Sequence, residues 1–267
     1  GGAVIGNKVY FAPWRAGVLG VVDTAADEGK GSFSTISLDG KVSGLYKFNG
    51  AVAIGNTVYF VPSHADVVGV LDTTPTSGPA FSTISIDASV RAASKFSRAV
   101  VVGKKIVFAP YHADVIAILD TEANDGTGVW STVSLQEKVR GKYKFFEAAV
   151  LRNKVYFAPL KANVVGVYDA AANGGQGDFS TISLEGKVPG ERKFNGAVVV
   201  GDRVYFAPYS ADVVGVVDTR ANEGAGAFHV LSMQDKVDGK ALYSGAVVVA
   251  NKVYFAPFNA DCIGIIE

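Results

Sequence analysis

The sequence predicts an all-β fold, a six-bladed β-propeller, and three observations support that prediction. First, a phrase of the type Val-Tyr-Phe-Ala-Pro occurs six times along the 267 residues. Second, short apolar runs of four to seven residues, rich in valine, fill each period, as buried strands do. Third, no segment shows the 3.6-residue apolar period of a helix. The prolines that end the phrase lie 49, 48, 49, 49 and 49 residues apart, at Pro13, Pro62, Pro110, Pro159, Pro208 and Pro257.

Each period contains four predicted strands, and the fifth repeat shows them most clearly. The first strand covers residues 197–200, and such first strands, residues 51–54 among them, are expected to line a central channel. The second covers residues 203–207 and stops at a proline, which cannot donate to a β-ladder. The third covers residues 213–217 and is followed by an Asp-Thr turn, and the fourth covers residues 228–233. Four strands joined by short turns predict one antiparallel blade.

The period also predicts the domain organisation. We expect one domain over residues 1–267, with repeats at about 1–49, 50–97, 98–146, 147–195, 196–244 and a partial repeat at 245–267. The partial repeat ends with its third strand, Cys262 to Ile266, so we expect that strand to be an exposed edge. An outer strand beside it is expected from a longer parent chain or from a second copy.

A small residue recurs inside the predicted third strand, seven positions after each proline. A glycine weakens a strand, so its recurrence predicts that another backbone or a large side chain approaches closely there. We expect the partner to be the aromatic pair in the second strand of the neighbouring blade, such as Tyr205 and Phe206. The six positions are Gly20, Gly69, Ala117, Gly166, Gly215 and Gly264.

The composition narrows the classes of partner. The 25 Lys and Arg residues equal the 25 Asp and Glu residues, so no net field attracts nucleic acid or an anionic membrane. No apolar run reaches the ~18 residues of a membrane-spanning helix, and we expect no membrane insertion. The single Cys262 excludes an intrachain disulfide and a cysteine-based zinc site. No phosphate-binding loop or dinucleotide fingerprint is present, and we expect no cofactor.

The repeat itself resembles a known family. The order Val-Tyr-Phe-Ala-Pro and then Val-Val-Gly-Val-Val-Asp-Thr is similar to the YVTN-type repeat of surface-layer and lactonase-like propellers. The Kelch and WD40 signatures are absent. The resemblance implies a propeller architecture in every repeat. It carries over no catalytic residue, because the matching positions are framework positions.

One face of the predicted propeller collects the candidate binding residues, where the loops between second and third strands meet the connections between blades. Lysines at one equivalent position of the connections are Lys47, Lys95, Lys144 and Lys193. Acids four residues after the prolines are Asp66, Asp114, Asp212 and Asp261, and Tyr111 and Tyr209 lie nearby. One interpretation is an anion or polyol site on the channel axis. The other is Lys–Asp pairing, with each Asp capping its own loop.

Two histidines raise the question of a metal. His64 and His112 occupy one equivalent position, each two residues before an Asp, and two imidazoles with two carboxylates suit a divalent cation. Arg15 and Lys161 stand at the same position in other repeats and would repel a cation. We therefore expect no metal. The acids that end the third strands are interpreted as turn formers: Asp23, Asp72, Asp120, Asp169 and Asp218, with Glu267 in the last repeat.

Three classes of function fit these features. The favoured hypothesis is a non-enzymatic scaffold that recognises a protein or polymer ligand on the lysine face. The alternatives are a multivalent carbohydrate-binding lectin and an enzyme with a single site over the channel. A lectin usually repeats an aromatic platform, and the residue after each proline varies instead: Trp14, Ser63, Tyr111, Leu160, Tyr209 and Phe258. The predicted partner is therefore a protein or glycan ligand, and not nucleic acid.

Overall fold

The computed structural model describes residues 1–267 except 87, 89, 91, 136, 185, 234, 235 and 238. The described residues form 23 β-strands, arranged in six antiparallel sheets, and three one-turn helices. They divide into two compact units, Gly1–Thr132 and Val133–Glu267. None of the helices in the described part of the chain is long and apolar enough to cross a membrane. The predicted six-bladed, all-β propeller class is confirmed, and the single domain stays a prediction.

The first twelve strands form three sheets of four, in which consecutive strands are neighbours. A single 3₁₀ turn, Asp27–Gly29, lies between the third and fourth strands. The strands are Gly2–Ile5 (β1), Lys8–Phe11 (β2), Val18–Asp23 (β3), Ser32–Ser37 (β4), Phe48–Ile54 (β5), Thr57–Pro62 (β6), Val67–Asp72 (β7), Ala80–Ser85 (β8), Phe96–Val102 (β9), Lys105–Pro110 (β10), Val115–Asp120 (β11) and Val129–Ser134 (β12).

The other strands form two sheets of four and one of three, again in sequence order. Helical turns at Ala172–Gly175 (α1) and Asn222–Gly224 (3₁₀) connect third to fourth strands. The strands are Phe145–Leu151 (β13), Lys154–Pro159 (β14), Val164–Asp169 (β15), Asp178–Ser183 (β16), Phe194–Val200 (β17), Arg203–Pro208 (β18), Val213–Asp218 (β19), Ala227–Ser232 (β20), Tyr243–Val249 (β21), Lys252–Pro257 (β22) and Gly264–Ile266 (β23).

Apolar clusters between neighbouring sheets form the core of each unit. In the first unit one cluster joins the sheets of β1–β4 and β5–β8, and another joins β5–β8 to β9–β12. In the second unit the two clusters lie between β13–β16 and β17–β20 and between β17–β20 and β21–β23. The sheets β5–β8 and β17–β20 are covered on both faces, which explains why their strands contain continuous apolar runs and do not alternate with polar residues.

The glycines of the third strands lie beneath aromatic rings, as predicted, but the rings belong to the same sheet and not to a neighbouring blade. A Cβ atom built on Gly166 would lie 2.9 Å from Phe145, 3.0 Å from Phe179 and 3.2 Å from Phe157. These three residues belong to the same sheet as Gly166. The expected partner in a neighbouring blade is therefore wrong. The rings lie on the first, second and fourth strands of that sheet, so the small residue leaves space for the sheet's own aromatic side chains.

The acids that end the third strands form Asx turns, as the sequence predicts. In each case one carboxylate oxygen accepts a hydrogen bond from the backbone N–H two residues on, which stabilises the turn locally. The distances run from 2.9 to 3.2 Å, for Asp23 to Ala25, Asp72 to Thr74, Asp120 to Glu122, Asp169 to Ala171 and Asp218 to Arg220.

The last strand is shorter than its counterparts for a simple reason. β23 has three residues, and β19 has six. In β19, Val213 and Val214 pair with the outer strand β20, and the ladder to β18 begins only at Gly215. Cys262 and Ile263 stand at the positions of Val213 and Val214. Their ladder needs an outer strand, and no described strand lies there.

Candidate functional site

The four lysines of the connections are buried, with residual exposures of 1–3% for Lys47, Lys95, Lys144 and Lys193. The Lys47 ammonium donates hydrogen bonds to the carbonyls of Gly44 at 2.8 Å and Arg15 at 3.3 Å. Arg15 lies in the loop between β2 and β3 of the preceding sheet. A buried ammonium must be hydrogen-bonded, and backbone carbonyls fill that role here. The lysine thereby ties a connection to the loop of its neighbour.

Lys95, Asp66 and His64 are brought together in the first unit. The Lys95 ammonium lies 2.8 Å from an Asp66 carboxylate oxygen and donates to the carbonyls of His64 at 3.2 Å and Ala65 at 3.3 Å. The predicted Lys–Asp pairing is therefore present at this pair. An open cavity of about 650 Å³ lies beside the three side chains. These three acceptors satisfy the three donors of the Lys95 ammonium. The ammonium is buried, and the Asp66 carboxylate faces solvent.

Replacing Lys95 by methionine should lower the free energy of unfolding by about 2–3 kcal/mol, because two loop carbonyls lose a charged donor. Thermal and urea unfolding of the purified variant measure this loss. Asp66→Asn is the matched control: its side chain is 86% exposed, and we expect a loss below about 1 kcal/mol. A Lys95→Met variant as stable as the parent would contradict the framework role of the lysine.

Lys193 repeats the arrangement in the second unit. Its ammonium donates to the carbonyls of Lys161 and Ala162, both at 3.4 Å. Burial lowers the pKa of the Lys193 ammonium, and the negative charge of Glu191 partly opposes that shift. A hydrogen bond from Lys161, and then its charge, lowers the pKa of the Glu191 carboxyl. Lys161 of the loop therefore pairs with Glu191 of the connection.

The backbone joins the connections and the loops as well. The N–H of Lys47 donates to the Trp14 carbonyl at 2.9 Å, and the Lys47 carbonyl accepts from the N–H of Ser63 at 2.8 Å. Lys95, Lys193 and Leu242 form the same pair of bonds with their own loops. The residue before each of these positions has a left-handed backbone, which costs about 1–2 kcal/mol outside glycine. These residues, with φ between 54° and 59°, are Tyr46, Ser94, Tyr143, Arg192 and Ala241.

An aromatic cluster on this face escaped the sequence reasoning. The rings of Trp14 and Tyr46 lie 5.1 Å apart, and those of Tyr46 and His64 lie 5.2 Å apart. The Arg15 guanidinium lies 4.7 Å from the centre of the Tyr46 ring and donates to the Tyr46 hydroxyl. Trp14 remains 38% exposed. The signal in the sequence was the aromatic residue Tyr46 directly before Lys47. In the structure Tyr46 has a left-handed backbone, and its ring lies between those of Trp14 and His64.

The remaining candidate residues take separate positions. Asp66, Asp114, Asp212 and Asp261 are all exposed. Tyr111 is half-buried and stacks on His112 with 4.9 Å between ring centres, and Tyr209 lies 6.1 Å from Phe258. The described residues contain no group of three or more His, Cys, Asp or Glu side chains that could hold a metal ion. Ligand binding by this face stays a prediction.

A break in the repeat at the first strands was also missed. Gly50, Gly196 and Gly245 share one position, and Arg98 and Glu147 replace it in consecutive repeats. Arg98 donates to the carbonyls of Asn49 at 2.7 Å and Ser97 at 3.0 Å. In the second unit, a Cβ on Gly196 would lie 3.2 Å from a Glu147 carboxylate oxygen. Aligning the repeats on the aromatic residue that begins these first strands, and comparing the position two residues later, would have revealed these two charges.

A groove of about 630 Å³ lies along the free edge of β23. Its lining is mostly aliphatic, and Ile263 and Ile265 are 61% and 53% exposed. Tyr243 and Phe255 form part of the wall, and the Tyr243 hydroxyl lies 3.7 Å from the Cys262 sulfur. Burial, assisted by the contact with Cys262, raises the pKa of Tyr243 to about 12. An apolar groove beside unpaired backbone groups suits an extended peptide.

Comparison with known proteins identifies the fold. No model of a known protein family matches the sequence, and no curated protein matches it. Solved structures match nearly the whole chain. Apo AztD from Citrobacter koseri is 13% identical, with a TM-score of 0.59 over 97% of this chain and 66% of AztD, just under two thirds. The fold is a β-propeller.

Two further solved structures have the same fold, and their names imply different roles. A 6-phosphogluconolactonase-like protein from Bacteroides uniformis is 11% identical, with a TM-score of 0.64 over 97% of this chain and 76% of that one. YCF48 bound to D1 peptide is 12% identical, with a TM-score of 0.61 over 96% of this chain and 74% of that one. At such identities the likeness shows the fold alone.

Proposed function

We propose that this chain is a non-enzymatic interaction module that binds a protein or polymer ligand on the lysine face. The observation that carries the proposal is the cluster of Trp14 and Tyr46, whose rings lie 5.1 Å apart and of which Trp14 is 38% exposed. The Arg15 guanidinium beside the Tyr46 ring adds a charged group to this surface. The peptide bound to YCF48, a protein of the same fold, supports this class of ligand.

A glycan array tests the lectin alternative. Binding of glycans to the purified protein, with no peptide bound, would favour that alternative and overturn the proposal.

The lysines and the exposed residues of this face have different roles in the proposal. In this proposal Lys47, Lys95, Lys144 and Lys193 position the loops, and the exposed acids and half-buried tyrosines contact the ligand. Two observations favour it, the cavity of about 650 Å³ beside Asp66 and the aromatic cluster of Trp14 and Tyr46. Exposed aromatic residues beside charged groups are typical of interaction surfaces.

Trp14→Ala should weaken ligand binding on this face by about 30-fold, since aromatic anchors at interfaces are worth about 2 kcal/mol. The measurement uses peptides selected from a displayed library of random sequences, each titrated against the parent protein and the variant. Ser34→Ala, on the exposed face of β4, is the matched control and should leave affinity unchanged. Selected peptides whose affinities are unchanged by both Trp14→Ala and Asp66→Asn would refute this surface.

A further inference from the structure

We infer that a cavity of about 290 Å³ in the second unit binds a small molecule through a tetrahedral oxyanion, such as a phosphate ester, held by Arg152, Lys154 and Tyr156. The cavity lies at the turn between β13 and β14 and is closed on one side by the turn after β19. Both turns lie at the ends of the strands opposite to the prolines. The site is therefore separate from the lysine face and independent of the proposed function.

Arg152 occupies a turn position that the other repeats give to small residues. The equivalent residues are Gly6, Gly55, Gly103, Gly201 and Ala250. All six have a left-handed backbone, with φ between 47° and 60°. Glycine adopts this conformation without strain, and a residue with a Cβ does not. The turn itself would be more stable with glycine, so the reason for arginine lies in its side chain.

The Arg152 guanidinium gives one carboxylate a second cationic partner. It lies 2.6 Å from one oxygen of Asp202, whose other oxygen pairs with Arg220. The first unit has an ion pair at the positions of Asp202 and Arg220 with the charges exchanged, since Lys104 lies 2.7 Å from Glu122. There one cation neutralises one anion, and the residue before Lys104 is the usual glycine. Arg220 alone would neutralise Asp202 in the same way, so Arg152 leaves one positive charge in excess.

The groups that line the cavity have hydrogen-bond donors to spare. The Lys154 ammonium donates to the Gly224 carbonyl at 3.2 Å and lies 3.9 Å from an Asp169 carboxylate oxygen, beyond hydrogen-bond range. An ammonium has three donors, so Lys154 keeps donors for a ligand. Tyr156 also lines the cavity and is only 3% exposed, and its hydroxyl forms no hydrogen bond with the described residues. A buried hydroxyl without a protein partner indicates a site for water or a ligand.

The charges around the cavity favour an anion. Burial raises the pKa of the Tyr156 hydroxyl, the positive charge of Arg152 opposes that rise, and the negative charge of Asp169 adds to it. The hydroxyl is therefore protonated at neutral pH and can donate to an oxyanion. The ion pairs that adjoin the cavity contain three cations and two carboxylates. Their net charge is positive, so an anion would complete the balance.

The number of donors favours a phosphate group over a carboxylate. A guanidinium binds two oxygens of either group in parallel. A carboxylate then has no further oxygen for Lys154 and Tyr156, and a phosphate has further oxygens for both. The volume of about 290 Å³ lies near the lower end of the range for small-molecule sites, about 300–1,000 Å³. The occupant is therefore a small phosphorylated molecule.

Titration of the ¹⁵N-labelled protein with inorganic phosphate tests the site. The amide chemical shifts of residues 151–154 and 219–224 report binding, with potassium chloride at equal ionic strength as the background. We expect saturable shifts at these residues and a dissociation constant of about 1–10 mM for the free ion. Acetate should bind at least about fivefold more weakly, because it has only two oxygens. Absence of saturable shifts there would overturn the site, and equal affinity for acetate would overturn its assignment to a phosphate group.

Arg152→Gly separates binding from structure, because it installs the residue that four other repeats have. We expect at least tenfold weaker phosphate binding, from the loss of a charged donor, and a melting temperature that is unchanged or about 1–3 °C higher. Lys104→Asn is the matched control. It also removes one exposed cation from an ion pair at a turn and installs the residue of four other repeats, and it should leave phosphate affinity unchanged.

The result that would contradict the role of Arg152 is a lower melting temperature of Arg152→Gly with unchanged phosphate affinity. Arg152 would then serve only the ion pair with Asp202. Tyr156→Phe keeps the ring and removes the hydroxyl, and it should weaken phosphate binding about fivefold. Equal affinities of Tyr156→Phe and the parent protein, both with unchanged melting temperatures, would overturn the assignment of Tyr156 to the site.

Discussion

Replacing Gly166 by valine should lower the free energy of unfolding by about 3 kcal/mol, the largest loss we expect from one substitution in this chain. A Cβ at this position would lie about 3 Å from the rings of Phe145, Phe157 and Phe179, all nearly or fully buried. None of these rings ends a flexible side chain, and each is fixed by its own sheet. Valine at position 166 would therefore disturb the packing of all three rings.

Urea and thermal unfolding measure this loss, and at about 2–4 °C per kcal/mol the melting temperature should fall by about 6–12 °C. Gly17→Val is the matched control. A Cβ on Gly17 would meet no atom within 4 Å, so we expect a change within about 0.5 kcal/mol. Similar losses in the two variants would contradict the role of the rings, because no atom lies near the Cβ position of Gly17.

An additional strand appended to the chain should stabilise it by about 3 kcal/mol. The extension is a copy of residues 170–184, the turn and strand that follow Asp169, placed after Glu267, which holds the same position in the last repeat. It would pair with β23, cover Ile263 and Ile265, and bury a phenylalanine over Gly264. The expected rise in melting temperature is about 6–12 °C.

The control extension has serine in place of the counterparts of Phe179 and Ile182, and should give a much smaller rise. Sedimentation measured alongside the melting curves reports whether the extension acts within one molecule. An extended protein with an unchanged melting temperature and an unchanged monomer would show that this edge does not need covering.

The sequence predicted the strands well because their boundaries depend on local chemistry. Five of the six second strands end with their proline, and each turn aspartate caps the turn that follows, so both features act within a few residues. The first strand of the fifth repeat begins at Phe194, three residues earlier than predicted, because a shift in register precedes the regular ladder. Such a bulge depends on the neighbouring strand and leaves no local pattern.

The candidate face was harder to predict because burial there depends on the neighbouring repeat. Lys47 is a charged residue in a loop, and a sequence pattern assigns such a residue to solvent. The structure buries it because Tyr46 takes a left-handed backbone and the loop of the preceding sheet supplies carbonyl acceptors. The spacing of Lys95 and Asp66 indicated a pair, and that pair is present at 2.8 Å. The aromatic cluster depends on rings from adjacent loops and has no periodic signal.

The hydrogen bonds that join one repeat to the next have a consequence for how this molecule can change. They link the backbone of Lys47 to that of Trp14 and Ser63, and the backbone of Lys193 to that of Leu160 and Tyr209. Because these hydrogen bonds join main-chain atoms, they do not depend on which side chain each residue carries. The residue after each proline is thus free to be tryptophan, serine, leucine or tyrosine without weakening these bonds. Mutation can diversify this row of side chains while the hydrogen bonds beneath them keep the repeats joined.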